Sequence, residues 1–159
     1  LAGARVIVTS RTDAKLQRAL QLGADHAIDS ATRDVAKEVM ALTGGRGVDV
    51  VIENVGAAVW SSAMKSLVRG GRLVTCGATS GDQPPADLRR IFIRQLQILG
   101  STLGDLDEFA ALLSLVRRTG LRPVIDAAFP MAEAHAALDR LGAADRFGKV
   151  AITIADGAR

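Results

Sequence analysis

The stretch Ala4-Arg5-Val6-Ile7-Val8-Thr9-Ser10-Arg11 reads as a short apolar strand that stops on a small polar residue followed by a cation. Four β-branched residues in a row, 6–9, favour extended backbone. Thr12 then sits where a helix cap belongs. Leu16, Ala19 and Leu20 recur at i, i+3 and i+4, and Gly23 marks the stop. Strand followed at once by amphipathic helix is the unit from which the rest of the chain is read.

Outward from that unit the alternation continues. His26-Ala27-Ile28 predicts a second short strand. A helix from about Thr32 to Leu42 carries Val35, Val39 and Leu42 on one face and stops at Gly44-Gly45. Val48-Asp49-Val50-Val51-Ile52-Glu53 is nearly continuous in apolar residues, the pattern of a strand covered on both faces. Trp60, Met64, Leu67 and Val68 mark a helix ended by Gly70-Gly71, with Trp60 and Met64 expected in the core. Arg72 to Cys76 is the next strand, after which Gly77 permits a sharp turn. Residues 80–87, with two prolines and a glycine, predict a loop. A short helix over 88–94 and a strand over 96–101 follow. Leu106, Phe109, Leu113 and Val116 share one helix face. Pro123 to Ala127 and Lys149 to Ile154 predict strands, joined by a helix bearing Met131, Ala134, Leu138 and Leu141. At the other end, Leu1-Ala2-Gly3 reads as the last turn of a helix with its glycine stop.

This rhythm predicts an α/β fold: a mostly parallel sheet, right-handed crossovers and helices on both faces. Ligands of such sheets bind at the carboxyl ends of the strands. Four groups stand there: Ser10-Arg11, Asn54-Val55-Gly56, Cys76-Gly77-Ala78 and Gly100 to Gly104. Three of them contain glycine, which permits close backbone approach to a flat ligand.

Composition narrows the function. The 159 residues carry 20 basic and 17 acidic side chains, a net charge of +3, with no basic block long enough to track a nucleic-acid backbone. Tyr is absent, and Trp60, Phe92, Phe109, Phe129 and Phe147 are scattered, so no base-stacking platform forms. Cys76 is the only cysteine, which excludes an intrachain disulfide and fits a reducing cytoplasm. Cys76 and the two distant histidines, His26 and His135, do not make a zinc site. No apolar run reaches the roughly 20 residues that a membrane helix needs. His26 is expected toward solvent, His135 as a partly buried structural histidine, and Cys76 as a small buried filler, since no base stands near it in sequence. Asp49 reads as a residue at a strand start. Neither it nor Glu53 belongs to a recognisable acid–base pair, and no catalytic acid is expected in this chain.

In a dinucleotide-binding sheet the residue closing the second strand meets the adenosine ribose. An acid there bonds the free hydroxyls of NAD, whereas a neutral residue beside Arg accommodates the extra phosphate of NADP. Ser10 and Arg11, with Lys15 one helical turn on, make the NADP choice. The competing reading of Arg11 is one more solvated cation after a strand. Asn54 suits ribose hydroxyls and Val55 an apolar ring face; the plain reading is a loop after a buried strand.

At these positions the chain resembles the medium-chain dehydrogenase/reductase family, the zinc-type alcohol dehydrogenases and quinone oxidoreductases. The likeness rests on Gly3-Ala4-Arg5-Val6-Ile7, Lys15-Leu16 and Leu22-Gly23-Ala24-Asp25. It continues in Gly47 to Val51 running into Glu53-Asn54-Val55-Gly56, Gly70 to Val74 into Cys76-Gly77, and Phe147-Gly148-Lys149-Val150. Arg94-Gln95-Leu96 through Leu99-Gly100-Ser101-Thr102 leans toward the alcohol dehydrogenase branch. The resemblance implies a Rossmann-like doubly wound parallel sheet whose first strand and Gly-rich phosphate turn would precede Leu1. Residues 1–122 would be the NADP-binding domain, and 123–159 a return segment joining a catalytic domain that also lies outside this chain, with any zinc ligands. It implies hydride transfer between NADP(H) and an alcohol, aldehyde, ketone or quinone, with the isolated chain inactive and binding NADPH weakly. It also implies assembly as a dimer or tetramer. By the same resemblance Lys15 lies near the adenosine phosphate and Asn54-Val55-Gly56 along the riboses. The backbone of Cys76-Gly77-Ala78 would meet the nicotinamide carboxamide, Leu99 to Leu103 would approach the nicotinamide with Leu103 as apolar contact, and Lys149 the pyrophosphate. Two other readings stay open: a methyltransferase, since Asp49 to Asn54 also resembles the fourth strand of those sheets, and a non-catalytic nucleotide-binding module.

Overall fold

The computed structural model describes residues 3–154. The chain folds as two compact units, Leu1–Leu103 and Gly104–Arg159. The first holds β1 (Ile7–Ser10), α1 (Asp13–Gln21), β2 (His26–Asp29), α2 (Val35–Leu42), β3 (Val48–Glu53), α3 (Ala57–Ser66), β4 (Leu67–Thr75), α4 (Leu88–Arg94) and β5 (Gln97–Gly100). The second holds α5 (Leu106–Thr119), β6 (Ile125–Pro130), a 3-10 turn over Met131–Glu133, α6 (Ala134–Gly142) and β7 (Lys149–Thr153).

Every strand pairing is parallel, as the alternation of strand and helix requires. β1 pairs with β2 in register from Ile7↔His26 to Ser10↔Asp29. β4 lies between β3 and β5, and their ends align as Glu53↔Thr75 and Thr75↔Gly100. β6 pairs with β7. The α/β parallel architecture of Rossmann type is therefore the one the sequence predicts.

Local chemistry explains most boundaries. Asp34 caps α2 by accepting the Lys37 N–H at 3.1 Å, so that helix starts at Val35 rather than Thr32. The Thr32 hydroxyl is instead donated to Asp29. Thr12 occupies the cap position of α1, yet its side chain makes no cap bond. Asp13 supplies negative charge to that helix end. Asp105 and Glu108 close a reciprocal capping box at α5, and Gly120, at φ 67°, ends it in the left-handed region. Leu1 and Ala2, read above as a helix end, lie outside the described residues.

Four expectations shift. The helical spacing through Leu67 and Val68 fails: α3 ends at Ser66, and Leu67 turns extended at ψ 142°. Leu67 is fully buried and pairs with Val48, and the register then jumps to Val50↔Arg72. Core burial outweighs helical periodicity at this point. Burial along β3 is uneven. Val48 and Val51 pack against the cluster of Ala63, Met64, Leu67, Leu73 and Leu96, joined by Trp60 and Ile91, while Val50 and Ile52 are exposed. In the second unit β6 starts at Ile125, two residues after Pro123, which has no N–H for a ladder. Met131 is exposed in the 3-10 turn rather than buried under α6.

A bidentate ion pair joins α6 to β6. Arg140 Nε and Nη2 donate to Asp126 Oδ2 and Oδ1 at 2.6 and 2.9 Å, and Phe147 N–H adds a third bond at 2.8 Å. These donors pull the Asp126 carboxyl down to about 2, the Arg140 guanidinium first among them. Among the described residues no helix is long and apolar enough to cross a membrane.

Candidate functional site

Ser10, Asp29, Glu53, Thr75 and Gly100 close β1 to β5, so the polar groups predicted to meet a ligand do stand at the carboxyl ends of parallel strands. At β1, Ser10 is half-buried and Arg11 exposed. The Ser10 carbonyl accepts the Ser30 N–H at 2.9 Å, and its hydroxyl oxygen receives a long bond, 3.5 Å, from Thr12 N–H. Among the described residues Arg11 enters no ion pair. Lys15 is half-buried on the first turn of α1. The acid nearest in register is Asp29 on the adjoining strand, and both its oxygens are engaged. Oδ2 takes the Thr32 hydroxyl at 2.7 Å and Oδ1 the Ala31 N–H at 2.8 Å. Those bonds, Thr32 foremost, hold its carboxyl below the usual range.

The turns after β3 and β4 interlock. Cys76 N–H donates to the Glu53 carbonyl at 2.9 Å, Ser80 N–H to the Val55 carbonyl at 2.7 Å, and Ala57 N–H to the Gly81 carbonyl at 3.0 Å. Ser80 Oγ donates to the same Val55 carbonyl at 2.7 Å and accepts the Ala58 N–H at 3.0 Å. The structure thus brings Asn54-Val55-Gly56 and Cys76-Gly77-Ala78 together. Gly100 stands beside Thr75, and Ser101 N–H donates to the Thr75 carbonyl.

The glycines divide by purpose. A Cβ on Gly56, at φ 96°, would run into the Gly81 carbonyl and come within 2.9 Å of Ala78 Cα. One on Gly77 would stand 2.6 Å from the Asn54 carbonyl oxygen. At both positions the missing Cβ lets one turn pack against the other. A Cβ on Gly100 would meet nothing within 4 Å. Asn54 and Val55 are exposed, and Leu103 is 94% exposed. Lys149 opens β7 in the second unit and is exposed there.

Three side chains depart from expectation. Cys76 is exposed, not a buried filler; it follows the end of β4 at Thr75. His135 is exposed rather than partly buried. Glu53, passed over in sequence, is buried to 3% exposure. Its Oε1 accepts the N–H groups of Val55 and of Gly56, the latter at 2.7 Å. A carboxylate closing a largely apolar strand, three residues before Gly56, was the signal available. Asp49 is exposed on β3 and chelated by Arg46 at 2.7 and 2.9 Å, which lowers its carboxyl.

Ser10 and Arg11 follow β1, Asn54 and Val55 follow β3, and Gly100 ends β5; these strand ends carry a hydroxyl, a cation, an amide, an apolar side chain and a glycine. Among the described residues no three His, Cys, Asp or Glu side chains converge to hold a metal ion.

Comparison with known proteins identifies the family. Residues 1–118 match the zinc-binding dehydrogenase family. A solved NAD-dependent alcohol dehydrogenase is similar at 37% identity and a TM-score of 0.87, over 96% of this chain and 45% of that one. A zinc-type alcohol dehydrogenase-like protein of Schizosaccharomyces pombe is 30% identical over 96% of this chain and 46% of its own length. A 2-haloacrylate reductase of a Burkholderia species is 29% identical over 94% of this chain and 48% of its own. The chain spans just under half the length of these relatives. By motif order, fold and family match, it belongs to the zinc-binding dehydrogenases of the medium-chain dehydrogenase/reductase family.

Proposed function

We propose that the full-length protein is an NADPH-dependent oxidoreductase of the medium-chain type. It moves a hydride between nicotinamide and an alcohol, aldehyde, ketone or quinone, and this chain is its coenzyme-binding part. The observation that carries the reading is the end of β1. A hydroxyl and a cation without an ion pair among the described residues, Ser10 and Arg11, follow β1 where an NAD-type site would have a carboxylate, and both oxygens of the neighbouring Asp29 accept bonds from its own turn. The preference for NADP rests on these residues and not on the relatives, of which the solved structure cited above is named NAD-dependent.

When bound, the coenzyme supplies the hydride chemistry; the residues here bind and orient it. Arg11 pairs with the adenosine phosphate, Ser10 donates its hydroxyl to the same group, and Lys15 adds positive charge nearby. Asn54 bonds ribose hydroxyls, and Val55 and Leu103 cover apolar ring surface. The backbone of Cys76-Gly77-Ala78 meets the carboxamide, Gly100 admits the ring, and Lys149 approaches the pyrophosphate. In this reading 1–122 is the coenzyme domain, 123–159 returns to a catalytic domain, the assembly is a dimer or tetramer in the cytoplasm, and the isolated chain is inactive. Any zinc belongs to residues outside this chain.

The test is coenzyme binding by calorimetry on the full-length protein, with NADPH, NADH and S-adenosylmethionine side by side. NADPH is expected to bind at least about tenfold more tightly than NADH, as one charge-assisted contact implies. Binding of S-adenosylmethionine in place of NADPH would overturn the coenzyme reading.

A further inference from the structure

We infer that Glu53 is a positioning residue for the coenzyme: its buried carboxylate fixes the Asn54–Gly56 turn before any ligand arrives. The inference rests on the coenzyme reading above. Glu53 closes β3, where the chain must leave the sheet and start α3 within a few residues. Two successive amides, Val55 N–H and Gly56 N–H, point inward there, and buried amides without partners are costly. Oε1 accepts both, and the Thr75 hydroxyl lies 3.4 Å from Oε2. Among the described residues no Lys or Arg pairs with this carboxylate. Its charge is met by a concave pair of backbone amides, an arrangement that suits anions.

The opposite side of the turn is held as firmly. The Val55 carbonyl takes the Ser80 N–H and hydroxyl, and Gly56 is packed against Gly81 and Ala78. What stays outward is Asn54 and the side chain of Val55, the two groups assigned to the coenzyme. A ligand that meets an edge already fixed does not have to order it on binding, which favours affinity. Glu53 thus acts on the coenzyme without touching it.

The experiment compares wild type, Glu53→Ala and Glu53→Gln in the full-length protein, reading the Kd and KM for NADPH and the KM for the carbonyl substrate. Glu53→Ala is expected to raise the NADPH Kd and KM about tenfold, as loss of two buried hydrogen bonds implies, with substrate KM within about twofold. Glu53→Gln keeps a carbonyl oxygen for the two amides, and it should bring the coenzyme values back to within about threefold of wild type. Unchanged coenzyme affinity in Glu53→Ala, or equal losses in the two variants, overturns the inference. If Glu53→Ala does not fold, amide hydrogen exchange in the coenzyme-free wild type decides: Val55 and Gly56 should be protected, and free exchange until NADPH is added overturns the claim. A wild type that binds neither NADPH nor NADH overturns the coenzyme reading itself, a failure distinct from intact binding that is indifferent to Glu53.

Discussion

The carbonyl oxygen of Asn54 lies 2.6 Å from the point where a Cβ on Gly77 would stand. The turn after β3 and the turn after β4 are thus in backbone contact, with no room for one methyl group between them. The residues assigned to the coenzyme on either turn owe their placement to this contact and to the bonds around Ser80.

Gly77→Ala should therefore force the two turns apart. Overpacking of this kind costs about 1–3 kcal/mol, to be read as a lowered midpoint in urea unfolding of the full-length protein. NADPH affinity should fall in the same variant. An unchanged midpoint would mean that the turns yield easily and do not define the site.

Acid should weaken the second unit through Asp126. Its carboxyl titrates at about 2 in the folded chain against an ordinary 3.8, chiefly because Arg140 donates to it. A carboxyl lowered on folding contributes stability that is complete above the unfolded value and lost as pH falls through the folded one. The contribution should therefore disappear between about pH 4 and pH 2. Asp126→Asn should be less stable than wild type at pH 7, and the gap should close across that window. A gap that stays constant down to pH 2 would contradict the assignment.

How much was legible beforehand differs by level. The order of strands and helices, and the four groups at the strand ends, followed from periodicity and glycine stops. Leu67 misled because an apolar residue at helical spacing satisfies a helix and a buried strand start equally well; only the packing of Leu67 on Leu73 and Met64 separates the two. Glu53 was passed over for a related reason. Its role depends on where two amides point once the chain turns, and no spacing in the sequence encodes that direction. Gly56 and Gly77 were recognised as necessary, but the neighbours that make them so, Gly81 and Asn54, lie 25 and 23 positions away. Arg11 was legible as a cation after a strand, and its freedom from any ion pair among the described residues was not.

The most direct measurement is the effect of Arg11→Ala on the two coenzymes in the full-length protein, by calorimetric titration with NADPH and with NADH. A charge-assisted contact worth about 1.5–3 kcal/mol predicts a loss of roughly 10- to 150-fold for NADPH, with NADH affinity nearly unchanged. Equal losses for both coenzymes, or none for either, would contradict the account.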